Sequence, residues 1–351
     1  MKNVLSLELC KNGIEAIKKH ERIVYTNVVY LIDIFFKNKL SSDKLNLKET
    51  DFVHFVDSKN ELTTTYVNDV LNKIKQSKTN YETVVGIGGG TALDFAKAIS
   101  NLLTNKGKAE DYQGWDLVNN PGIFKIGIPT LSGTGAEASR TCVMINPKNG
   151  LKLGMNSSHT IYDELILDSS LSRTVPKNQF FYTGLDTYIH CIESLNGNHR
   201  HALSDAYSEQ ALSLSKSVFL NGDMMSDSNR EKMMVASYFG GVAIGNSFVG
   251  LIHPLSAGLS VVLNIHHGEA NCITMNAMEE YYPIEYNEFM RMVEKNNIYL
   301  KRGVCKDLSD QQYNDLYNSS IIHEIPLKNA LGSDFKKILT KEKIIELYKK
   351  M

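Results

Sequence analysis

Thr83-Val84-Val85-Gly86-Ile87-Gly88-Gly89-Gly90-Thr91-Ala92-Leu93-Asp94-Phe95-Ala96-Lys97 decides the fold of the first half of this chain. Its front is apolar and β-branched, as in a buried strand, and its back repeats apolar residues at helical spacing. Three consecutive glycines stand between. Side-chain-free residues at a strand-to-helix turn let a phosphate approach the backbone, where free N–H groups and the helix dipole favour an anion. A tight turn alone also calls for glycine, but three in a row after a buried strand favour the phosphate cradle, although the run is neither a P-loop nor a complete G-x-G-x-x-G. Gly88, Gly89, Gly90 and Thr91 are the candidate contacts. Asp94 either joins them or is a first-turn helix acid.

Upstream, Asn27 to Ile32 reads as a strand ending at Asp33, and Phe52 to Val56 as another ending at Asp57. Val67, Val70, Leu71 and Ile74 place an amphipathic helix over Thr65 to Lys78, so strand, helix and strand alternate and the sheet is parallel. An acid at the end of the first strand can accept hydrogen bonds from a ribose and repel a 2′-phosphate; a turn residue is the equal alternative for Asp33. Downstream, Tyr112-Gln113-Gly114-Trp115-Asp116 holds the single Trp, which packing explains more often than ligand contact. A strand over Lys125 to Pro129 runs into Thr130-Leu131-Ser132-Gly133-Thr134-Gly135, whose small hydroxylated residues suit a second contact with a diphosphate or a nicotinamide carboxamide. From Thr141 to Asp168 the pattern is that of a hairpin or edge strands, with Lys152 and Asp168 lacking a visible role.

After about Arg173 the texture turns helical, with long patterns over Asn178 to Leu195, Ser204 to Leu220 and Arg230 to Leu251. An α/β domain over 1–172 followed by an all-α domain over 173–351 is expected, with the active site in the cleft between them. In Gly184-Leu185-Asp186-Thr187-Tyr188-Ile189-His190-Cys191-Ile192-Glu193, Asp186 and His190 are one helical turn apart and share a face. Such a pair alone is ordinary. However, Met233 to Gly268 contains no Asp, Glu, Lys or Arg yet carries His253, His266 and His267, and a buried imidazole there needs a partner. One carboxylate with these imidazoles makes a set for a divalent transition metal, and spacing does not choose between His266 and His267.

Composition bounds the rest. The 351 residues are 22% charged and 42% hydrophobic, with 38 basic against 39 acidic side chains and a net charge of −1. Such a balance gives no footprint for nucleic acid or an anionic membrane. Five scattered cysteines without a CxxC pair argue for a reducing compartment. Met1 to Glu8 has no leader-like apolar region, so the cytoplasm is expected. The charge-free stretch is interrupted by Gly240-Gly241, Asn246-Ser247 and His253-Pro254, which argues for buried core helices rather than a span.

Together these residues resemble the iron-containing alcohol dehydrogenases, whose fold is shared with dehydroquinate synthase. The resemblance is carried by Gly88-Gly89-Gly90-Thr91 with Asp94 and Ala96-Lys97, by Pro129-Thr130 with Gly133-Thr134 and Ala136-Glu137, by Asp186, His190 and Glu193, and by His253, His267-Gly268 and Asn271. It implies Fe2+ or Zn2+ on Asp186, His190, His253 and His267, with these four acting in catalysis through the ion. It also implies NAD or NADP on Gly88 to Thr91, Asp94, Thr130, Ser132, Thr134 and Asp33, an alcohol substrate, and a homodimer. Two positions depart from the pattern. Ala257 stands where many members carry a further His, which leaves water, ribose hydroxyls or His266 to relay the proton, and Leu131 replaces a second Thr. A narrower resemblance, to the branch that oxidises carbon 8 of the sugar acid 3-deoxy-D-manno-octulosonate, lies in Tyr112 to Leu117, Ile128 to Thr141, Tyr182 to Leu195, His266-His267-Gly268 and Cys305 to Leu308. It makes Trp115, Asp116 and Arg140 candidate substrate contacts. A lyase like dehydroquinate synthase and a non-catalytic binding protein are the rival readings.

Overall fold

The computed structural model describes residues 6–40 and 42–351. Met1 to Leu5, most of the stretch read above for a leader, lie outside them. In chain order the strands are β1 (Ser6–Leu9), β2 (Val28–Asp33), β3 (Phe52–Val56), β4 (Thr83–Gly88), β5 (Gly114–Trp115), β6 (Phe124–Pro129), β7 (Thr141–Asn146), β8 (Leu151–Asn156) and β9 (Glu164–Leu167). The helices are α1 (Gly13–Lys19), α2 (Glu21–Tyr25), α3 (Ser42–Leu45), α4 (Thr64–Gln76), α5 (Gly90–Thr104), α6 (Lys177–Leu195), α7 (Ala202–Leu220), α8 (Asp227–Ser247), α9 (Ile252–Leu263), α10 (His267–Met275), α11 (Pro283–Lys295), α12 (Asp310–Ile321), α13 (Glu324–Leu331), α14 (Phe335–Ile338) and α15 (Lys341–Lys350). The chain divides into two compact units, the first ending at Thr174 and the second running from Val175 to Met351.

In the first unit a parallel sheet has the order β1-β9-β6-β4-β2-β3. All of β4 and most of β2 are buried, as continuous apolar runs in a sheet covered on both faces must be. Gly86 lets α5 lie close on β4, because a Cβ there would stand 2.8 Å from that of Ala96. The stretch from Thr141 to Asp168 splits. β7 and β8 form the expected antiparallel hairpin, whereas β9 joins the main sheet between β1 and β6 and is no edge. β1, unmarked in the sequence reading, takes the edge instead. The two roleless charges find work: Asp168 accepts from the Gly13 and Ser170 N–H groups, both at 2.9 Å, and buried Lys152 pairs with Glu61 at 3.0 Å.

The second unit is helical around one apolar core that includes Phe180, Phe181, Leu185, Ile189, Phe219, Met233, Leu255 and Leu259. Gly184 admits the ring of Phe219, whose nearest atom would be 2.6 Å from a Cβ, and Gly240 takes up Thr187 in the same way at 3.0 Å. The helix read over Arg230 to Leu251 ends earlier, at Ser247, since Phe248 has φ +96° and ψ 157°, a backbone state no helix continues through. Among the described residues no single helix is long and apolar enough to cross a membrane, and α8 and α9 meet at a bend of 105°. Buried hydroxyls in this region bond one another, Ser194 to Ser247 at 2.6 Å and Ser208 to Ser194 at 2.9 Å.

Candidate metal centre and dinucleotide crevice

α6 presents Asp186, His190 and Glu193 on one face, all buried, as their spacing of four and three residues requires. His253 enters from the first turn of α9 and His267 opens α10. Gly268 lets α10 begin directly on α6, where a Cβ would lie 3.1 Å from the Tyr182 carbonyl oxygen. Three imidazole Nε2 atoms then surround one carboxylate: His253 is 3.2 Å and His190 3.4 Å from Asp186 Oδ1, and His267 is 3.6 Å from Oδ2. Ligand atoms of Asp186, His253 and His267 all fall within 4.8 Å of one another, and His190 joins this group through Asp186. The His190 and His253 rings stack with centroids 4.7 Å apart.

Glu193 spends both oxygens at 2.5 Å, one on His253 Nδ1 and the other on the Ile252 N–H. With the Nδ1 proton directed at that carboxylate, His253 turns Nε2 toward a second carboxylate. A lone pair facing an anion is repelled, so a cation belongs between them, either a second proton or a metal ion. Burial pushes the His253 pKa down, but Glu193 and Asp186 more than reverse this and carry it to about 10. Burial likewise pushes the His190 pKa down, to about 4, and Asp186 opposes this only in part, leaving a neutral ring with a free lone pair. Burial pushes the Asp186 carboxyl up, yet His190, His267 and His253 outweigh it and hold it below the ordinary carboxylate range. Asn271, one turn after His267 and fully buried, donates to Asp186 Oδ1 at 2.7 Å, whereas buried Oδ2 has no hydrogen-bond partner among the described residues.

The donor set fits a divalent ion. Ligand atoms about 2.0–2.2 Å from a tetrahedral centre stand roughly 3.4 Å apart, close to the three separations found. The structure separates the two adjacent histidines: His267 faces Asp186, while His266 stands at the residue before α10 with its side chain exposed and makes no capping hydrogen bond. Glu193 and Asn271 were visible as part of the motif, but no orienting role could be read for them. The signal was their place on the ligand faces, three residues after His190 and four after His267. Ala257 is buried in α9 and adds no polar group.

In the first unit, the carboxyl ends of β2, β4 and β6 bring Asp33, the glycine run and the Thr130 loop together. A Cβ on Gly88 would stand 2.6 Å from that of Ala92 and 3.0 Å from that of Asp33; one on Gly90 would meet Thr134 at 3.2 Å. The Thr130 N–H donates to Gly88 O at 3.0 Å, and Thr134 Oγ1 accepts from the Ala136 N–H. No side chain caps α5 at Gly89, so the N–H groups of Gly90 and Thr91 begin the helix without a side-chain acceptor from that cap. Buried Ser132 Oγ has no hydrogen-bond partner among the described residues. Asp33 accepts from the Phe35 N–H at 2.9 Å and from Ser58 Oγ at 2.7 Å. Asp94 is used elsewhere. It accepts from the Val143 N–H at 2.9 Å and lies 3.5 Å from Lys97 Nζ, which ties α5 to β7. Trp115, Asp116 and Arg140 form a cluster, with the Arg140 guanidinium bonded to Asp116 and 6.0 Å above the Trp115 ring. Trp115 is 38% exposed.

Comparison with known proteins places both halves. Residues 12–169 match a family model described as iron-containing alcohol dehydrogenase, and residues 180–317 match one for the carboxyl-terminal part of the same family. A sulfoacetaldehyde reductase of Bilophila wadsworthia is 38% identical over 193 residues, 54% of this chain and 49% of that protein. A probable alcohol dehydrogenase, EutG, of Escherichia coli is 30% identical over 275 residues, 76% of this chain and 66% of that protein. The chain thus spans about half the length of the first of these relatives and about two thirds of the second. The crystal structure of a sulfoacetaldehyde reductase from Bifidobacterium kashiwanohense in complex with NAD+ superposes with a TM-score of 0.81 at 21% identity, covering 99% of this chain and 96% of the other, which shows the shared fold. Since the two family models between them take in both units, the chain belongs to the iron-containing alcohol dehydrogenases.

Proposed function

We propose that this chain is a metal- and nicotinamide-dependent oxidoreductase that interconverts a primary alcohol and its aldehyde. The observation that carries the reading is the convergence of three imidazoles on the buried Asp186 carboxylate, whose Oδ2 has no hydrogen-bond partner among the described residues. A divalent ion held there supplies Lewis acidity toward an alcohol or carbonyl oxygen, and both Fe2+ and Zn2+ suit the donors. Asp186, His190, His253 and His267 are the holding residues, and Glu193 fixes the His253 ring. The N–H groups at Gly89 to Thr91 receive the dinucleotide diphosphate. Thr130, Ser132 and Thr134 offer hydroxyls to the nicotinamide amide, and Asp33 accepts from the adenosine ribose, which favours NAD over NADP. Exposed His266 exchanges the proton with solvent in place of the imidazole that Ala257 lacks.

Relatives named for sulfoacetaldehyde and for alcohols support a small alcohol or aldehyde as substrate. The Trp115, Asp116 and Arg140 cluster favours a second reading in which the substrate is an anionic polyol, 3-deoxy-D-manno-octulosonate oxidised at carbon 8, because a carboxylate calls for a guanidinium and hydroxyls for a carboxylate. A homodimer accompanies either reading. The test is a screen of short primary alcohols, polyols and this sugar acid with NAD and NADP, with metal content measured on the same sample. The expected result is reduced cofactor that falls at least about a hundredfold on chelation or in His253→Ala, as loss of a metal-held catalytic group implies. Full activity in metal-free protein overturns the reading, and a strong preference for the sugar acid selects the second one.

A further inference from the structure

The metal centre draws its ligands from helices that leave and arrive through two unusual loops. α6 exits through residues 196–201, and α9 is entered through residues 248–251. In the first loop Gly197 has no room for a side chain, because a Cβ would stand 2.4 Å from Asn329 Nδ2. In the second, Phe248 has φ +96° and ψ 157°, a conformation that belongs to glycine and is held in other residues only by surrounding structure. Asn329 of α13 holds both. It is completely buried, its Nδ2 donates to the carbonyls of Phe248 at 3.2 Å and Val249 at 3.0 Å, and its Oδ1 accepts from the His199 N–H at 2.9 Å. Its own carbonyl accepts from the Asn198 N–H at 2.8 Å and from Asn198 Nδ2 at 2.9 Å.

We infer that Asn329 is a positioning residue for the metal centre, stapling the exit of the helix that carries Asp186 and His190 to the strained turn that aims His253. The inference rests on the metal-centre reading above. A primary amide is the side chain that fits, since one end must donate twice and the other must accept. Without those donors Phe248 is free to return to ordinary backbone angles, which rotates the entry of α9. His253 is the second residue of that helix. Glu193 grips both the Ile252 N–H and His253 Nδ1 from α6, so a shift of the entry moves the ring relative to Asp186.

Co2+ affinity, measured by competition with a chromogenic chelator, and the visible Co2+ spectrum test this in the full chain carrying Asn329→Ala, Phe248→Gly, or both. Circular dichroism and the melting temperature of the metal-free proteins report the fold. Asn329→Ala is expected to weaken Co2+ binding about tenfold, the order of loss that follows when a ligand such as His253 is no longer held in place, and to alter the spectrum. Glycine adopts the turn without strain. In the Phe248→Gly background the same substitution is therefore expected to weaken binding by less than about threefold, a coupling that a merely structural amide does not produce. Unchanged affinity in Asn329→Ala, or an equal loss in both backgrounds, overturns the positioning role. Should Asn329→Ala not fold, Asn329→Asp, which keeps the acceptor for His199 and loses both donors, carries the same expectations. Failure of the native chain to bind Co2+ overturns the metal-centre reading and this inference with it.

Discussion

Glu193 orders the candidate centre from behind His253, with no place among the four proposed ligands. Its two oxygens fix the tautomer of His253 and the first peptide of α9. Glu193→Gln retains one acceptor and loses the charge, so metal affinity is expected to fall about ten- to a hundredfold while the fold is kept. Isothermal titration with Zn2+ checks this, and an unchanged constant refutes the role. Asp186 and His190 were legible in the sequence because a helix puts residues four apart on one face. The partner of Glu193 was not, since His253 lies 60 residues on and only packing brings it near. Likewise the start of α10, not spacing, decides that His267 faces Asp186 and His266 faces water. Elsewhere, Glu110 accepts from Asn68 at 2.7 Å and from Lys148 at 3.0 Å. Burial pushes its carboxyl up, but its own N–H, Lys148 and Asn68 outweigh this and take it from 4.5 to about 2. A folded value below the unfolded one means a contribution present above pH 4.5 and lost as the pH falls toward about 2. Glu110→Gln is expected to lower the melting temperature at pH 7 and to flatten its decline across that window. An unaltered decline in a pH series of melting curves excludes this group as a cause.

At the scale of elements, the strand, glycine turn and helix from Thr83 to Thr104 were readable from pattern alone, because a buried parallel strand and an amphipathic helix have different periods. Gly88 is where that turn is least forgiving. A methyl group there would stand 2.6 Å from Ala92 Cβ and 3.0 Å from Asp33 Cβ. Gly88→Ala is therefore expected to destabilise the chain by about 1–3 kcal/mol, as overpacking of this kind costs, and to weaken NAD binding at least about tenfold by shifting the α5 entry. Denaturant melts and fluorescence titration measure both, and native-like values in each would show that the turn yields. Besides β1, two features escaped the pattern. β9 is short and apolar, and the sequence carries no mark of which neighbours it takes. α8 stops at Ser247 in a run that stays apolar and charge-free, because the strained Phe248 is held by tertiary contacts and not by a breaker residue.

Across the whole molecule, every proposed metal ligand, together with Glu193, Asn271 and Asn329, belongs to the unit from Val175 to Met351, which has its own apolar core. Expressed alone, residues 175–351 are expected to fold and to bind Zn2+ within about tenfold of the full chain, since structural metal affinity follows the preformed site. Circular dichroism and metal titration decide, and a folded fragment without affinity would show that the centre needs more than this unit supplies. The other unit has a different dependence built into its sheet. Among the described residues β1 pairs with β9 alone, so that Ser6 meets Glu164 and Leu9 meets Leu167. During synthesis β1 waits for this neighbour until more than a hundred further residues have left the ribosome, and late closure of long loops slows folding and exposes edges. The order of manufacture and the order of pairing are thus opposed at this edge: β1 cannot take its place in the sheet before β9, its neighbour there, has been made.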